Sequence, residues 1–149
     1  MSKFYITTPL YYVNDEPHIG HAYTTILADV LSRYHRIQGD DVFFLTGTDE
    51  HGQKVQEAAE KRNVKPFDHV NEYVKRFKDV WKKLNIDYDD FIRTTEKRHT
   101  DRVKEVLNHL KDKGDIYIAE YEGLYSVSEE RFITEKEAEE GNFKEIKVL

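Results

Sequence analysis

Two hydrophobic periods alternate along this chain, and each change of period marks an element. Lys3 to Thr8 carries Phe4, Tyr5, Ile6 and Thr7, residues that suit a pleated, buried strand. Pro9, Asn14, Asp15 and Pro17 break that pattern and mark a loop. From Ile19 the spacing becomes helical, through Ile26, Leu27, Val30, Leu31, Tyr34 and Ile37. This predicts a helix from about His18 to Gln38, with Pro17 in its first turn, Gly39 as its C-cap and its apolar face against a sheet. Arg33, His35 and Arg36 lie near its end, where cations suit the helix dipole, and are assigned no function. Asp41 to Thr46 holds Val42, Phe43, Phe44 and Leu45, a continuous run that predicts a strand buried on both faces. Strand, helix and strand then form a parallel, right-handed crossover unit, so the fold class is α/β.

The helical period returns twice. Gln53 to Lys61 predicts a short helix with Val55, Ala58 and Ala59 inward, ended by Asn63. Pro66 opens a longer one. Its stripe of Phe67, Val70, Tyr73, Val74, Phe77, Val80, Trp81 and Leu84 reads as core, with Lys75, Arg76, Lys78, Lys82 and Lys83 on the solvated side. Asp87 to Thr94 predicts a third strand. Glu96 to Lys113 predicts a helix with Val103, Val106, Leu107 and Leu110 inward, Thr94 or Thr95 as its cap and Gly114 closing it. Ile116 to Val127 reads as one or two strands joined near Glu122-Gly123, and Glu129 to Lys147 is charge-rich with few apolar residues.

Composition narrows the function classes. The chain has 149 residues and no cysteine, which excludes disulfides and thiolate metal sites. Net charge is −6 with mixed signs, unlike the basic patch of a nucleic-acid surface. There is no apolar run approaching the roughly 18 residues of a membrane span and no signal-peptide pattern, so a soluble cytoplasmic protein is expected.

The candidate chemistry gathers where strands end. Crevices in parallel sheets lie at the carboxyl ends of the strands, so the loops Thr8–Asn14 and Gly47–Gly52 should face the same crevice. His18, Gly20 and His21 fall at a helix N-terminus, where unpaired N–H groups and roughly half a positive charge favour anions. Two imidazoles there can donate hydrogen bonds to phosphate oxygens, and Gly20 lets a flat base or a phosphate come close. A helix cap is the plainer reading of the same histidines. Gly47-Thr48-Asp49-Glu50-His51-Gly52 also divides. Asp49 or Thr48 can cap the next helix, or a carboxylate there can pair with a substrate ammonium. Tyr12, an aromatic just after a strand, reads more readily as packing than as a ligand contact.

These motifs resemble a known family. Pro9-Leu10-Tyr11-Tyr12-Val13-Asn14 followed by His18-Ile19-Gly20-His21 is similar to the signature of class I aminoacyl-tRNA synthetases. Gly47-Thr48-Asp49-Glu50-His51-Gly52 makes it resemble the methionyl-tRNA synthetase family in particular. The likeness extends over Asp90-Phe91-Ile92-Arg93-Thr94-Thr95 and Gly114-Asp115-Ile116-Tyr117. It implies the first half of a Rossmann-like parallel sheet over residues 1–114 and the start of a small β-rich connective insertion over 115–149. It implies ATP, with Mg²⁺ held mainly by phosphates and water, and methionine as substrates. His18 and His21 would be catalytic; His18, Gly20, His21 and Asn14 would bind ATP; Leu10, Tyr12 and Asp49 would bind methionine. Transfer RNA would be a partner mainly through parts outside this chain. Where many members carry a Cys-x-x-Cys zinc knuckle, this chain has Ser126 and Glu129, so no zinc is expected. The family's second, lysine-rich signature loop does not occur here. The chain therefore resembles an N-terminal part, with the missing C-terminal half as a further partner. A small nucleotidylyltransferase with His-x-Gly-His is the rival enzyme, and a non-catalytic nucleotide-fold module the rival from another class.

Overall fold

β3 (Asp41–Asp49) is the strand to which its neighbours all pair, in parallel. In the computed structural model, which describes residues 1–141, 143 and 146–148, β1 (Lys3–Thr7), β2 (Tyr11–Tyr12) and β4 (Asp90–Arg93) lie along it. Leu45 pairs with both Thr7 and Asp90, and Thr48 with both Tyr11 and Arg93, so β4 runs along one edge and β1 then β2 along the other. The expected α/β class and parallel pairing are therefore present. β3 runs on past the predicted Thr46 to Asp49, which turns the first half of the expected Gly47–Gly52 loop into strand. Gly47 makes that extension possible: a Cβ there would lie 2.1 Å from the Ile92 carbonyl oxygen of β4.

α1 (Ile19–Ile37) corrects the sequence reading in two ways. Pro17 lies outside the helix, just before the His18 cap, not in the first turn. The face turned to the sheet is small and polar, with Thr25, Ala28, Asp29 and Ser32 buried. Ile26, Leu27, Val30, Leu31, Tyr34 and Ile37 are exposed instead. The reason is a polar seam along the inner face of α1. Asp29 Oδ1 accepts the Asp87 N–H at 2.8 Å, Arg33 donates to the Asn85 carbonyl at 2.7 Å, and Arg36 pairs with Asp89 at 2.7 Å. Arg33 and Arg36, assigned no function, thus fasten α1 to the segment leading into β4, while His35 pairs with Asp40 at 2.8 Å.

The core lies under the site. α2 (Gln53–Lys61) contributes Val55 and Ala59, and α3 (Pro66–Lys83) contributes Val70, Tyr73, Val74, Phe77 and Trp81. Tyr11, Val13 and Phe91 close the cluster. Burial of side chains this size is worth about 1.5–3 kcal/mol each, which makes the α3 stripe the main anchor for the β2 loop.

The chain divides into two compact units, residues 1–106 and 107–149. α4 (Lys97–Lys113) buries none of its residues, so Val103, Val106 and Leu107 do not pack inward as its spacing predicts. In the second unit, β5 (Leu124–Ser126) pairs antiparallel with β6 (Arg131–Ile133) and β7 (Ile146–Val148). The strand period therefore takes hold at Leu124, not Ile116. Between β6 and β7, α5 (Glu135–Glu140) starts in a capping box of Thr134 and Glu137 that the charge-rich composition hid.

Candidate active site

His18 is the N-cap of α1, with extended backbone at φ −124° and ψ 176°. Its Nδ1 accepts the Gly20 N–H at 3.1 Å, and its own N–H is donated to His21 Nδ1 at 3.1 Å. Two histidines thus make a capping box, and the cap reading is realised. It does not compete with the chemical one. A neutral imidazole that accepts through Nδ1 carries its proton on Nε2. The cap therefore fixes both tautomers and leaves two Nε2–H donors, with no hydrogen-bond partner for either among the described residues. The rings stack with centroids 3.7 Å apart and 25° between planes. A Cβ on Gly20 would come within 2.9 Å of His18 Cε1, so glycine leaves room for the capping ring.

The core holds this pair from below. Tyr11 meets the His21 ring edge-on at 4.8 Å and stacks on Phe77 at 5.9 Å, while its hydroxyl lies 2.9 Å from Thr25 Oγ1. Phe77 itself meets His21 at 5.2 Å. Burial, and secondarily the neighbouring His18 ring, push the His21 pKa below its ordinary value and keep it neutral near pH 7.

A cleft of about 400 Å³ brings Leu10, Tyr12, Asn14, His18 and His21 together, and Tyr11, Asp15 and Glu16 line it with them. Gly20 and Asp49 are not among its lining residues. Asp49 is nevertheless the direct register partner of Tyr12 on the adjoining strand, so the two loops do converge. The packing aromatic is Tyr11, 6% exposed, whereas Tyr12 stays open at 43%. Neither Asp49 nor Thr48 caps α2: its N-cap is Gly52, with φ +107° and no side-chain cap. Asp49 Oδ1 accepts the His51 N–H, at 3.3 Å.

Sequence reasoning passed over the residues that support this site. Glu50 is buried and bound by Arg93, Thr48 and Thr95. Thr95 and Thr94 therefore serve Glu50 and do not cap α4 as expected. His69, fully buried, donates from Nε2 to the Val13 carbonyl at 2.8 Å and accepts from Arg62 at 3.0 Å. It pins the chain immediately before Asn14. The Asp90–Thr95 motif was the available signal for the first group; His69 sits between Asp68 and Val70 in a helix and carries no signal.

No group of three or more His, Cys, Asp or Glu able to hold a metal occurs among the described residues. The Ser126 hydroxyl accepts the Glu129 N–H at 3.4 Å, and Glu129 pairs with Arg131 at 2.8 Å. Hydroxyls and a paired carboxylate do not fit zinc's preference for thiolate and imidazole. No helix of the described residues is long and apolar enough to cross a membrane.

A parallel sheet in which β1 and β3 are joined through the crossover helix α1 places the chain in the Rossmann-like class of folds. The family described as tRNA synthetases class I (M) matches residues 4–142, and the chain belongs to that family. It is 56% identical over 133 residues to methionine–tRNA ligase 1 of Bacillus cereus, covering 89% of this chain and 20% of that one. It is 53% identical over 139 residues to the methionine–tRNA ligase of Listeria monocytogenes, covering 93% and 21%. The chain thus spans about a fifth of the length of these relatives. A Mycobacterium tuberculosis methionyl-tRNA synthetase in complex with methionyl-adenylate superposes with a TM-score of 0.91 at 38% identity, over 100% of this chain and 31% of that one.

Proposed function

We propose that this chain supplies the first part of the catalytic region of a methionine–tRNA ligase, with residues 1–114 in the nucleotide fold and 115–149 beginning its connective insertion. The reaction is ATP-dependent activation of methionine, followed by transfer to tRNA. The methionine carboxylate oxygen attacks the α-phosphorus in line. The bond to the β-phosphate oxygen breaks, and methionyl-adenylate and pyrophosphate result.

The single observation that carries this reading is the pair of Nε2–H donors fixed by the histidine cap. As attack proceeds, negative charge grows on the α-phosphate oxygens. His18 and His21 donate to them without a reorganisation cost, because the cap has already set both tautomers. Neutral His21 is a donor that loses no proton in the step. Gly20, whose missing Cβ makes room for the His18 ring, takes adenine beside that ring, and Asn14, held through Val13 by His69, fixes the loop above the phosphates. Asp49 binds the methionine ammonium, while Leu10 and Tyr12 face its side chain. Mg²⁺ accompanies ATP on its phosphates and water. Most tRNA contacts belong to other parts of the enzyme.

Pyrophosphate–ATP exchange, run with each of the twenty amino acids, tests the reading. Exchange that depends on methionine supports it; exchange driven by a different amino acid overturns it.

A further inference from the structure

Two motifs singled out in the sequence meet at one carboxylate. Glu50 follows Asp49 at the end of β3, and its side chain is 0% exposed. Oε1 accepts Arg93 Nε–H at 2.6 Å and the Thr48 hydroxyl at 2.8 Å. Oε2 accepts Arg93 Nη2–H at 2.9 Å and the Thr95 hydroxyl. The Glu50 N–H donates to Thr94 Oγ1 at 2.9 Å, and Arg93 reaches on to Asn71 of α3 at 2.7 Å. The segment Arg93-Thr94-Thr95 is thus devoted almost wholly to one residue.

A buried ion pair is a poor way to gain stability, since apolar residues of the same volume often do as well. Directional bonds do something that apolar contacts cannot: they fix the backbone of the residue that carries them. Asp49 and His51 flank Glu50, and His51 Nε2 lies 3.4 Å from the Thr94 carbonyl oxygen. With Glu50 neutralised by Arg93, the carboxylate left for a ligand at this strand end is that of half-buried Asp49, beside Tyr12.

We propose that Glu50, Arg93, Thr94 and Thr95 are positioning residues that hold the turn after β3 so that Asp49 meets a substrate ammonium. The role of Asp49 rests on the methionine-binding reading above; the positioning itself does not.

Two readouts keep these apart. Thr95→Val removes one donor to Glu50 while keeping side-chain shape, and Arg93→Lys keeps the charge but not the bidentate grip. In NMR spectra of this chain, both variants are expected to shift the Asp49 and His51 signals and leave those of His18 and His21 in place. In methionine-dependent exchange, the KM for methionine should rise about tenfold with the KM for ATP little changed, because a misplaced binding group costs affinity for its own ligand. Asp49 and His51 signals that superpose on the parent's in Thr95→Val would overturn the inference. So would a loss confined to kcat and melting temperature. Absence of methionine-dependent exchange in an enzyme that contains this chain counts against the methionine reading alone, and the NMR comparison still decides the positioning.

Discussion

His18 and His21 are bound to each other through the backbone: the His18 N–H is donated to His21 Nδ1, and the rings stack 3.7 Å apart. Neither histidine can be changed without altering the other's support. In an enzyme containing this chain, His21→Asn should lower the adenylation rate by about 10²–10³ while methionine affinity changes little, the magnitude of one lost preorganised donor. Single-turnover adenylate formation checks this, and an unchanged rate removes His21 from the mechanism.

The same pair predicts a pH response. Burial lowers the His21 pKa below its reference value of 6.5, so the unfolded chain takes up this proton more readily than the folded one. The stability contributed by neutral His21 is fully present above about 6.5 and is lost as pH falls through the lower folded value. An imidazole titration by NMR should place His21 below 6.5, with the first turn of α1 loosening at acid pH. A midpoint above 6.5 contradicts this.

Removing Arg93 leaves the Glu50 carboxylate buried and unpaired. Arg93→Ala should therefore destabilise the first unit by about 3–5 kcal/mol, read by urea denaturation. A loss below about 1 kcal/mol, the level of an exposed pair, would show that the ion pair is not anchoring β3 to β4.

Gly47 brings the backbones of β3 and β4 into close approach. Gly47→Ala forces a Cβ to within 2.1 Å of the Ile92 carbonyl oxygen, so the two strands must part. Destabilisation of about 1–3 kcal/mol or more is expected from such overpacking, together with faster amide exchange across the β3–β4 pairing. Unchanged exchange there would contradict the contact.

The elements that sequence disclosed best were those with a single partner. The middle of the α3 stripe announces itself because Val70, Tyr73, Val74, Phe77 and Trp81 all enter one core, whereas Phe67 and Leu84 at its ends, read as core too, are exposed. α1 misleads for a physical reason: its sheet-facing side is closed by Thr25, Asp29 and Ser32, whose hydrogen-bonding groups and small volumes have no hydrophobic period. The histidines at its start were visible as a motif, but that each can cap through Nδ1 and still keep an Nε2–H for donation emerges only from which ring nitrogen each uses. Arg93, Thr94 and Thr95 were recognisable as a string and opaque in purpose, because Arg93 lies 43 residues along the chain from its partner, Glu50. His69 was invisible, since nothing local distinguishes a buried histidine tied to Val13 from a solvated one.

The most direct test of the account is to titrate this chain with a non-hydrolysable methionyl-adenylate analogue and follow it by NMR. The Nε2 signals of His18 and His21 and the carboxylate signal of Asp49 should move together along one binding curve, because phosphate donors and ammonium acceptor serve one ligand. Signals that move on separate curves, or a ligand that perturbs residues elsewhere and leaves these three unchanged, would contradict it.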